Sequence, residues 1–297
     1  MNGIIFDLKR FAVHDGAGLR STLFLKGCPL HCPWCQNPEG MERSPVLWHS
    51  PQSCLHCGSC LAACPSGALV LTDRIHINRS LCTQCGTCVE ACPAAAMEIF
   101  GKTVTAQEAA SMLLRDQVFF GQKGGVTLSG GEVLMQWQFA AEVLRLCKKA
   151  YAHTAIETCL LAPIAALEAM LPVTDLFIVD IKFMDGMLHC HHLGASNKQI
   201  LDNFQWLLAH GADLLVRTPL IPGYTATDEN IRRIARYLRS IAPEVPYELL
   251  NFNPLCRSKY TALEQEYPVS GGALTDAQME HFYEILAQEG ITNIIKE

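Results

Sequence analysis

"FLKGCPLHCPWCQNPEG", residues 24–40, closes an apolar run and carries three cysteines, Cys28, Cys32 and Cys35, with three and then two residues between them. A structural zinc or a fully ligated iron–sulfur cubane takes four protein ligands. Three ligands leave one metal position open, so this spacing points to a site that does chemistry.

The composition limits what can surround such a site. With 297 residues and 49% hydrophobic content, the chain can bury a substantial core, as one large α/β domain or a domain with an insertion. Fifteen cysteines would suit a disulfide scaffold in a short secreted chain. The opening MNGIIFDLKRF, however, lacks a basic segment followed by a long apolar run and a small-residue cleavage site. No apolar stretch approaches the length of a membrane span. We expect a soluble, cytoplasmic protein whose clustered cysteines bind metal. A net charge of −6 without a Lys/Arg block gives no footprint for phosphate-backbone binding, which argues against a nucleic-acid partner.

Eleven of the cysteines fall in the first 92 residues; Cys147, Cys159, Cys190 and Cys256 are the remainder. Between residues 54 and 93 one pattern occurs twice. "CLHCGSCLAACP" gives Cys54, Cys57, Cys60 and Cys64, and "CTQCGTCVEACP" gives Cys82, Cys85, Cys88 and Cys92, each ending in proline. This C-x2-C-x2-C-x3-C-P run is the one by which bacterial ferredoxins hold [4Fe–4S] clusters, the fourth cysteine of each run ligating the other cluster. The expected ligand sets are therefore Cys54, Cys57, Cys60 and Cys92 for one cluster, and Cys82, Cys85, Cys88 and Cys64 for the second. A pair of zinc knuckles is the alternative, because C-x2-C also binds zinc; eight matching cysteines and two prolines weigh against it.

Elsewhere strands and helices alternate. Apolar, β-branched runs at 20–27, 125–132, 154–158, 176–182, 213–221 and 247–252 read as six strands separated by helical segments. Capping boxes are expected at Thr105 with Glu108 and at Thr275 with Gln278, and Gly211 and Gly290 suit helix ends. The cysteine-rich stretch, residues 50–98, interrupts this alternation and reads as an insertion in a domain formed by residues 1–49 and 99–297. Strands alternating with helices pair in parallel and place a site at their C-terminal ends. Cys28, Glu132, Glu157, Asp180, Lys182, Arg217 and Asn253 all fall at or near that rim. Each also has a plainer reading: a turn residue for Glu132, a local ion pair for Asp180 and Lys182, a surface charge for Arg217.

C-x3-C-x2-C with Trp34 before the third cysteine resembles the signature of radical S-adenosylmethionine (SAM) enzymes, and "SGGE" (129–132) resembles their methionine-binding motif. "HDGAGLRSTLFLKGCPLHCPWCQNPE" (14–39), "VDIK" (179–182), "VRTPLIPGYT" (216–225) and "ELLNFNPL" (248–255) resemble the glycyl-radical-enzyme activating enzymes across nearly the whole chain. A subset of that family carries the ferredoxin-like insertion; the pyruvate formate-lyase activating enzyme lacks it.

The resemblance implies an α/β fold, a partial (β/α)6 TIM-like barrel with an inserted two-cluster domain, and hence three [4Fe–4S] clusters. It implies that Cys28, Cys32 and Cys35 leave one iron to be chelated by SAM. Reductive cleavage then gives methionine and a 5′-deoxyadenosyl radical, which takes hydrogen from a glycine of a partner glycyl radical enzyme. By the same resemblance Gly130, Gly131 and Glu132 hold the methionine amino group, Lys182 its carboxylate, and Glu157 with Asp180 a monovalent cation or the ribose. Trp34, Arg217 and Asn253 would line the pocket, and Asp15 would meet the partner's glycine loop. A flavodoxin or ferredoxin is the implied electron donor, and nothing in the chain demands more than a monomer. Three departures from the family pattern stand out: Ala17 where proline is usual, Cys159 without a following glycine, and Asn253 where histidine is frequent.

Two other functions compete with this one. A radical SAM enzyme acting on a small molecule is countered by the opening "FDLKRFAVHDGAGLR", where the activases resemble one another most. A pure electron-transfer protein leaves Cys28, Cys32, Cys35 and SGGE unexplained. Cys147 and Cys159 are expected as buried free thiols, and "HCHHLG" (His189, His191, His192) as an exposed loop on the rim.

Overall fold

The computed structural model describes residues 1–296. From the N-terminus, β1 (Asn2–Ala12) and β2 (Arg20–Leu25) pair antiparallel. The cysteine-rich segment follows, as β3 (Val46–His49), α1 (Ser59–Ala63), β4 (Leu69–Leu71), β5 (Ile75–Ile77), α2 (Thr87–Glu90) and β6 (Met97–Phe100). Its strands form two small antiparallel sheets, β3 with β6 and β4 with β5. They enclose a core of their own, in which Leu47, Leu69, Ile75, Ile77 and Met97 surround Cys60 and Cys88.

After β7 (Lys102–Thr105) and α3 (Ala106–Leu114) the chain alternates regularly: β8 (Gly125–Gly130), α4 (Trp137–Lys149), β9 (His153–Thr158), α5 (Ile164–Met170), β10 (Leu176–Asp180), α6 (Gly186–Leu193), α7 (Lys198–Ala209), β11 (Leu214–Leu220), α8 (Asp228–Ile241), β12 (Tyr247–Asn251), α9 (Arg257–Ala262), α10 (Asp276–Gln288) and β13 (Ile294–Ile295). The nine-stranded main sheet runs β13-β12-β11-β10-β9-β8-β2-β1-β7. All six strands read from the sequence are present and pair in parallel, each with its predecessor. β13 extends that series in parallel, while β1 and β7 add an antiparallel edge that the alternation did not announce.

Successive side chains of a strand point to opposite faces, and here the two faces differ in chemistry. One face sends Leu23, Leu25, Val126, Leu128, Ile156, Phe177, Val179, Val216 and Leu249 into a single core with Phe139, Leu144, Leu167, Phe204, Ile234 and Leu286 from the helices. The residues between them, Thr22, Thr127, Ser129, Glu157, Arg217 and Glu248, therefore share the other face, and most of them are buried. A buried polar face needs internal partners, and it finds them within the site described below.

Helix ends follow their local signals. Thr105 with Glu108 and Thr275 with Gln278 form complete capping boxes, and Gly211 and Gly290, at φ +70° and +78°, follow α7 and α10. The histidine stretch is a correction. "HCHHLG" belongs to α6, capped by Asp185 through the amides of Met187 and Leu188 and ended by left-handed Gly194. His189 is buried, with Nδ1 against the Ala195 carbonyl at 2.6 Å. Among the described residues no helix is long and apolar enough to cross a membrane.

Candidate active site

The cysteine loop leaves β2 after Leu25, and backbone bonds lash it to its surroundings. Gly27 and Cys28 donate to the carbonyls of Gly40 and Met41 at 2.8 and 2.9 Å, and His31 donates to Leu193 of α6 at 3.0 Å. From the end of β8, Gly131 donates to Leu25 and Glu132 to Gly27 at 2.8 and 2.7 Å. This approach requires glycine: a Cβ on Gly131 would stand 2.3 Å from the Gly27 carbonyl oxygen, and one on Gly130 2.4 Å from the Leu25 backbone. Trp34 is buried against Phe183 and Tyr224, with ring centroids 6.0 and 5.2 Å away, and His192 stacks on the same Phe183.

At the C-terminal strand ends lies a cavity of about 250 Å³. Its wall brings together Cys28, Cys32 and Cys35 with Trp34, Gly130 and Gly131, and with Glu157, Asp180, Lys182 and Arg217. Burial pushes the thiols of Cys28, Cys32 and Cys35 up to about 12, so a metal binding here has to displace their protons. Lys182 Nζ donates to Asp180 at 2.7 Å. Burial alone would lower the Lys182 pKa, but Asp180, Cys32 and Cys159 outweigh it and hold the ammonium charged.

Arg217 organises the deeper polar face. Its Nε donates to Glu248 at 2.5 Å, Nη1 to Glu157 at 2.8 Å and Nη2 to the His14 carbonyl at 2.6 Å. Ser129 Oγ donates to the other oxygen of Glu157 at 2.5 Å. Burial and the nearby Asp15 carboxylate push Glu157 up to about 7 against the opposing pull of Arg217. Sequence reading missed Glu248 and Ser129; Ser129 had a signal, alternating with Thr127 in an otherwise apolar strand, whereas Glu248 is a lone charge beside Leu249 and Leu250 in β12.

Two expected contacts, those of Glu132 and Asn253, lie elsewhere. Glu132 turns its carboxylate away from the cavity, where it accepts from the amides of Leu134 and Cys159 and the hydroxyl of Thr158 at 2.7–2.9 Å. Asn253 is exposed, and its side chain caps the turn at Leu255. Asp15 sits in the 13–19 loop and accepts from Thr22 at 2.5 Å. Cys147 and Cys159 are buried free thiols.

The eight remaining ligand candidates divide between two hollows. One is lined by Cys54, Cys57, Cys60 and Cys92, the other by Cys64, Cys82, Cys85 and Cys88. Among the described residues no three His, Cys, Asp or Glu side chains gather tightly enough to hold a single metal ion.

Residues 22–238 match the model of the Radical SAM superfamily. The chain belongs to the radical SAM superfamily. It is 42% identical to the (2S)-3-sulfopropanediol sulfolyase activating enzyme of Bilophila wadsworthia, over 94% of each chain. With the indoleacetate decarboxylase activating enzyme of Tractidigestivibacter scatoligenes the identity is 36%, over 99% of this chain and 98% of the other. Within the superfamily it is therefore a glycyl-radical-enzyme activating enzyme, an oxidoreductase that uses a [4Fe–4S] cluster and SAM. The fold alone is shared with the crystal structure of Streptococcus suis SuiB bound to S-adenosylmethionine, at 13% identity and a TM-score of 0.51, over 65% of this chain and 44% of that one. The donor set of this radical SAM enzyme fits that cofactor: three thiols share a cavity with a charged lysine and with backbone kept bare by two glycines.

Proposed function

We propose that the chain is a partial (β/α)6 barrel formed by residues 1–49 and 99–297, with residues 50–98 as a ferredoxin-like insertion, and that it carries three [4Fe–4S] clusters. Cys28, Cys32 and Cys35 hold the SAM cluster; the two sets of four hold the others. The convergence of the three thiols with Lys182, Asp180 and Glu157 in one cavity carries this reading. When bound, the cluster and SAM supply the reductive S–C5′ cleavage and the hydrogen-abstracting radical that acts on the partner's glycine.

The protein's own groups position and neutralise. Lys182 meets the methionine carboxylate, with Asp180 as the partner that keeps it charged. Gly130 and Gly131 offer backbone to the amino group, and Glu132 braces that backbone from behind through Thr158 and Cys159. Glu157 and Asp180 face the ribose or a monovalent cation, Trp34 packs the wall, and Arg217 fixes Glu157. Asp15, on a loop tied to the polar face through Thr22, meets the partner's glycine loop. The partner is a glycyl radical enzyme, the electron donor a flavodoxin or ferredoxin, and the chain acts as a monomer.

The test uses anaerobically reconstituted, reduced protein given SAM. Iron content of about twelve per chain, 5′-deoxyadenosine formation that vanishes in Cys32→Ala, and a glycyl radical signal in a co-expressed partner are expected. About eight irons and no nucleoside would leave an electron-transfer protein instead.

A further inference from the structure

His49 ends β3 and is 2% exposed, yet its Nε2 has no hydrogen-bond partner. A buried polar atom left unpaired is costly, and in a native chain it points to a group that completes it. His49 lines the hollow shared by Cys54, Cys57, Cys60 and Cys92.

The duplication supplies an internal control. Residues two apart on a strand face the same side, so Leu47 and His49 of β3 look the same way. Across the β3–β6 ladder Leu47 pairs with Ile99 and His49 with Met97. Leu47 and Ile99 line the hollow of Cys64, Cys82, Cys85 and Cys88; His49 and Met97 line the other. One ladder thus covers both hollows, apolar over one and with an imidazole over the other. Burial first, then the charges of His56 and Arg74, hold His49 below its ordinary pKa, which favours a neutral ring with one N–H. Thiolate and sulfide sulfurs of a cluster are acceptors, so the Nε2–H tautomer is the complementary one.

We propose that His49 Nε2–H donates a hydrogen bond to a sulfur of the cluster held by Cys54, Cys57, Cys60 and Cys92, and sets its reduction potential above that of its twin. The proposal rests on the two-cluster reading of the insertion. Reduction adds negative charge to a cluster, and a donor against its sulfurs stabilises that charge, one of the levers by which proteins tune such potentials. Electrons entering the insertion then settle preferentially on the cluster beside His49, which gives a relay of two otherwise similar clusters a preferred resting place.

The experiment is an EPR-monitored redox titration in a Cys32→Ala background, which removes the SAM-cluster signal. With His49 present, two potentials are expected. In His49→Phe the higher one falls, so that at its former midpoint the reduced-to-oxidised ratio drops about tenfold, a shift of about 59 mV for one electron. His49→Gln, which keeps an N–H donor, recovers most of the shift. Identical titrations with and without the His49→Phe substitution, both clusters being present in each protein, would overturn the proposal. Should the phenylalanine variant fail to hold its clusters, pulsed EPR on the His49 protein labelled with imidazole-15N histidine, with His56→Gln added to remove the other ring on this hollow, decides: an imidazole nitrogen coupled to one reduced cluster supports the assignment, and none overturns it. Iron is counted before titration; fewer than about eight irons per chain in this background would instead sink the two-cluster reading itself.

Discussion

Arg217 Nε lies 2.5 Å from the Glu248 carboxylate, and both side chains are buried. Through its other nitrogens the same guanidinium reaches Glu157 on β9 and the carbonyl of His14. One side chain on β11 therefore joins adjacent β12 and, across β10, β9 to the loop that carries Asp15, and the polar face of the sheet depends on its charge being matched.

Removing one partner of a buried ion pair leaves a charge uncompensated, at a cost of about 3–5 kcal/mol. Glu248→Leu should destabilise the metal-free chain by roughly that amount, and Glu248→Gln, which keeps an acceptor, by about 1–2 kcal/mol. Denaturant unfolding of the two variants checks this. A leucine variant within about 0.5 kcal/mol of the native chain, the range of ordinary surface changes, would show that Glu157 and His14 alone satisfy Arg217.

Glu157 gives a pH signature with a definite sign. Burial and Asp15 hold its folded pKa at about 7, above an unfolded value of about 4.3. Such a carboxyl binds its proton more tightly when folded, so its contribution to stability is complete below the unfolded value and lost as pH rises through about 7. Subtracting the urea-derived stability curve of Glu157→Gln from that of the native chain should leave a difference that declines between about pH 4.3 and 7. A difference that stays flat over that window and falls only as the pH drops below about 4.3 would mean that Arg217 dominates and the folded pKa is depressed.

Much of this arrangement is legible in the sequence. The six parallel strands announced themselves through β-branched runs, and α3 and α10 through the capping signals at Thr105 and Thr275, because both are local chemistry. What escaped depended on distant pairing. β1 joins the sheet antiparallel through contacts with β2 and β7, and β7 lies about a hundred residues along the chain. Glu132 and Asn253 sit in the expected segments, but their carboxylate and amide satisfy nearby backbone amides, a choice made by three-dimensional competition for donors. The α6 histidines were misread although Asp185 and Gly194 bracket them with ordinary helix signals.

Gly131 gives a prediction about the cysteine loop itself. A methyl there would stand 2.3 Å from the Gly27 carbonyl oxygen and 2.7 Å from that of Gly40, so the Gly131→Ala chain has to push the loop off β8. Overpacking of this kind costs about 1–3 kcal/mol. We expect a folded protein that retains the insertion clusters at about eight irons per chain but forms no 5′-deoxyadenosine. Retention of about twelve irons and full SAM cleavage would show that the loop has slack.

Lys182 separates the plain reading of a local ion pair from the role in SAM binding. Its ammonium is buried, while Asp180 is 37% exposed at its side chain, so water can solvate the aspartate once the lysine is gone. Lys182→Met keeps the apolar stem and removes the charge. If the pair is only structural, the variant changes stability by up to about 1 kcal/mol, as half-exposed pairs do, and binds SAM as the native protein does. If Lys182 meets the methionine carboxylate, the small stability change is accompanied by loss of a charged hydrogen bond, about 1.5–3 kcal/mol. That corresponds to SAM affinity weakened by about 10- to 100-fold. Equilibrium dialysis of SAM against reconstituted native and variant protein, matched for iron content, reads the two cases apart. Matching iron is essential, because Lys182 also lies close enough to Cys28, Cys32 and Cys35 to lower their thiol pKa values, and its loss should make cluster assembly slower at neutral pH without changing the final occupancy.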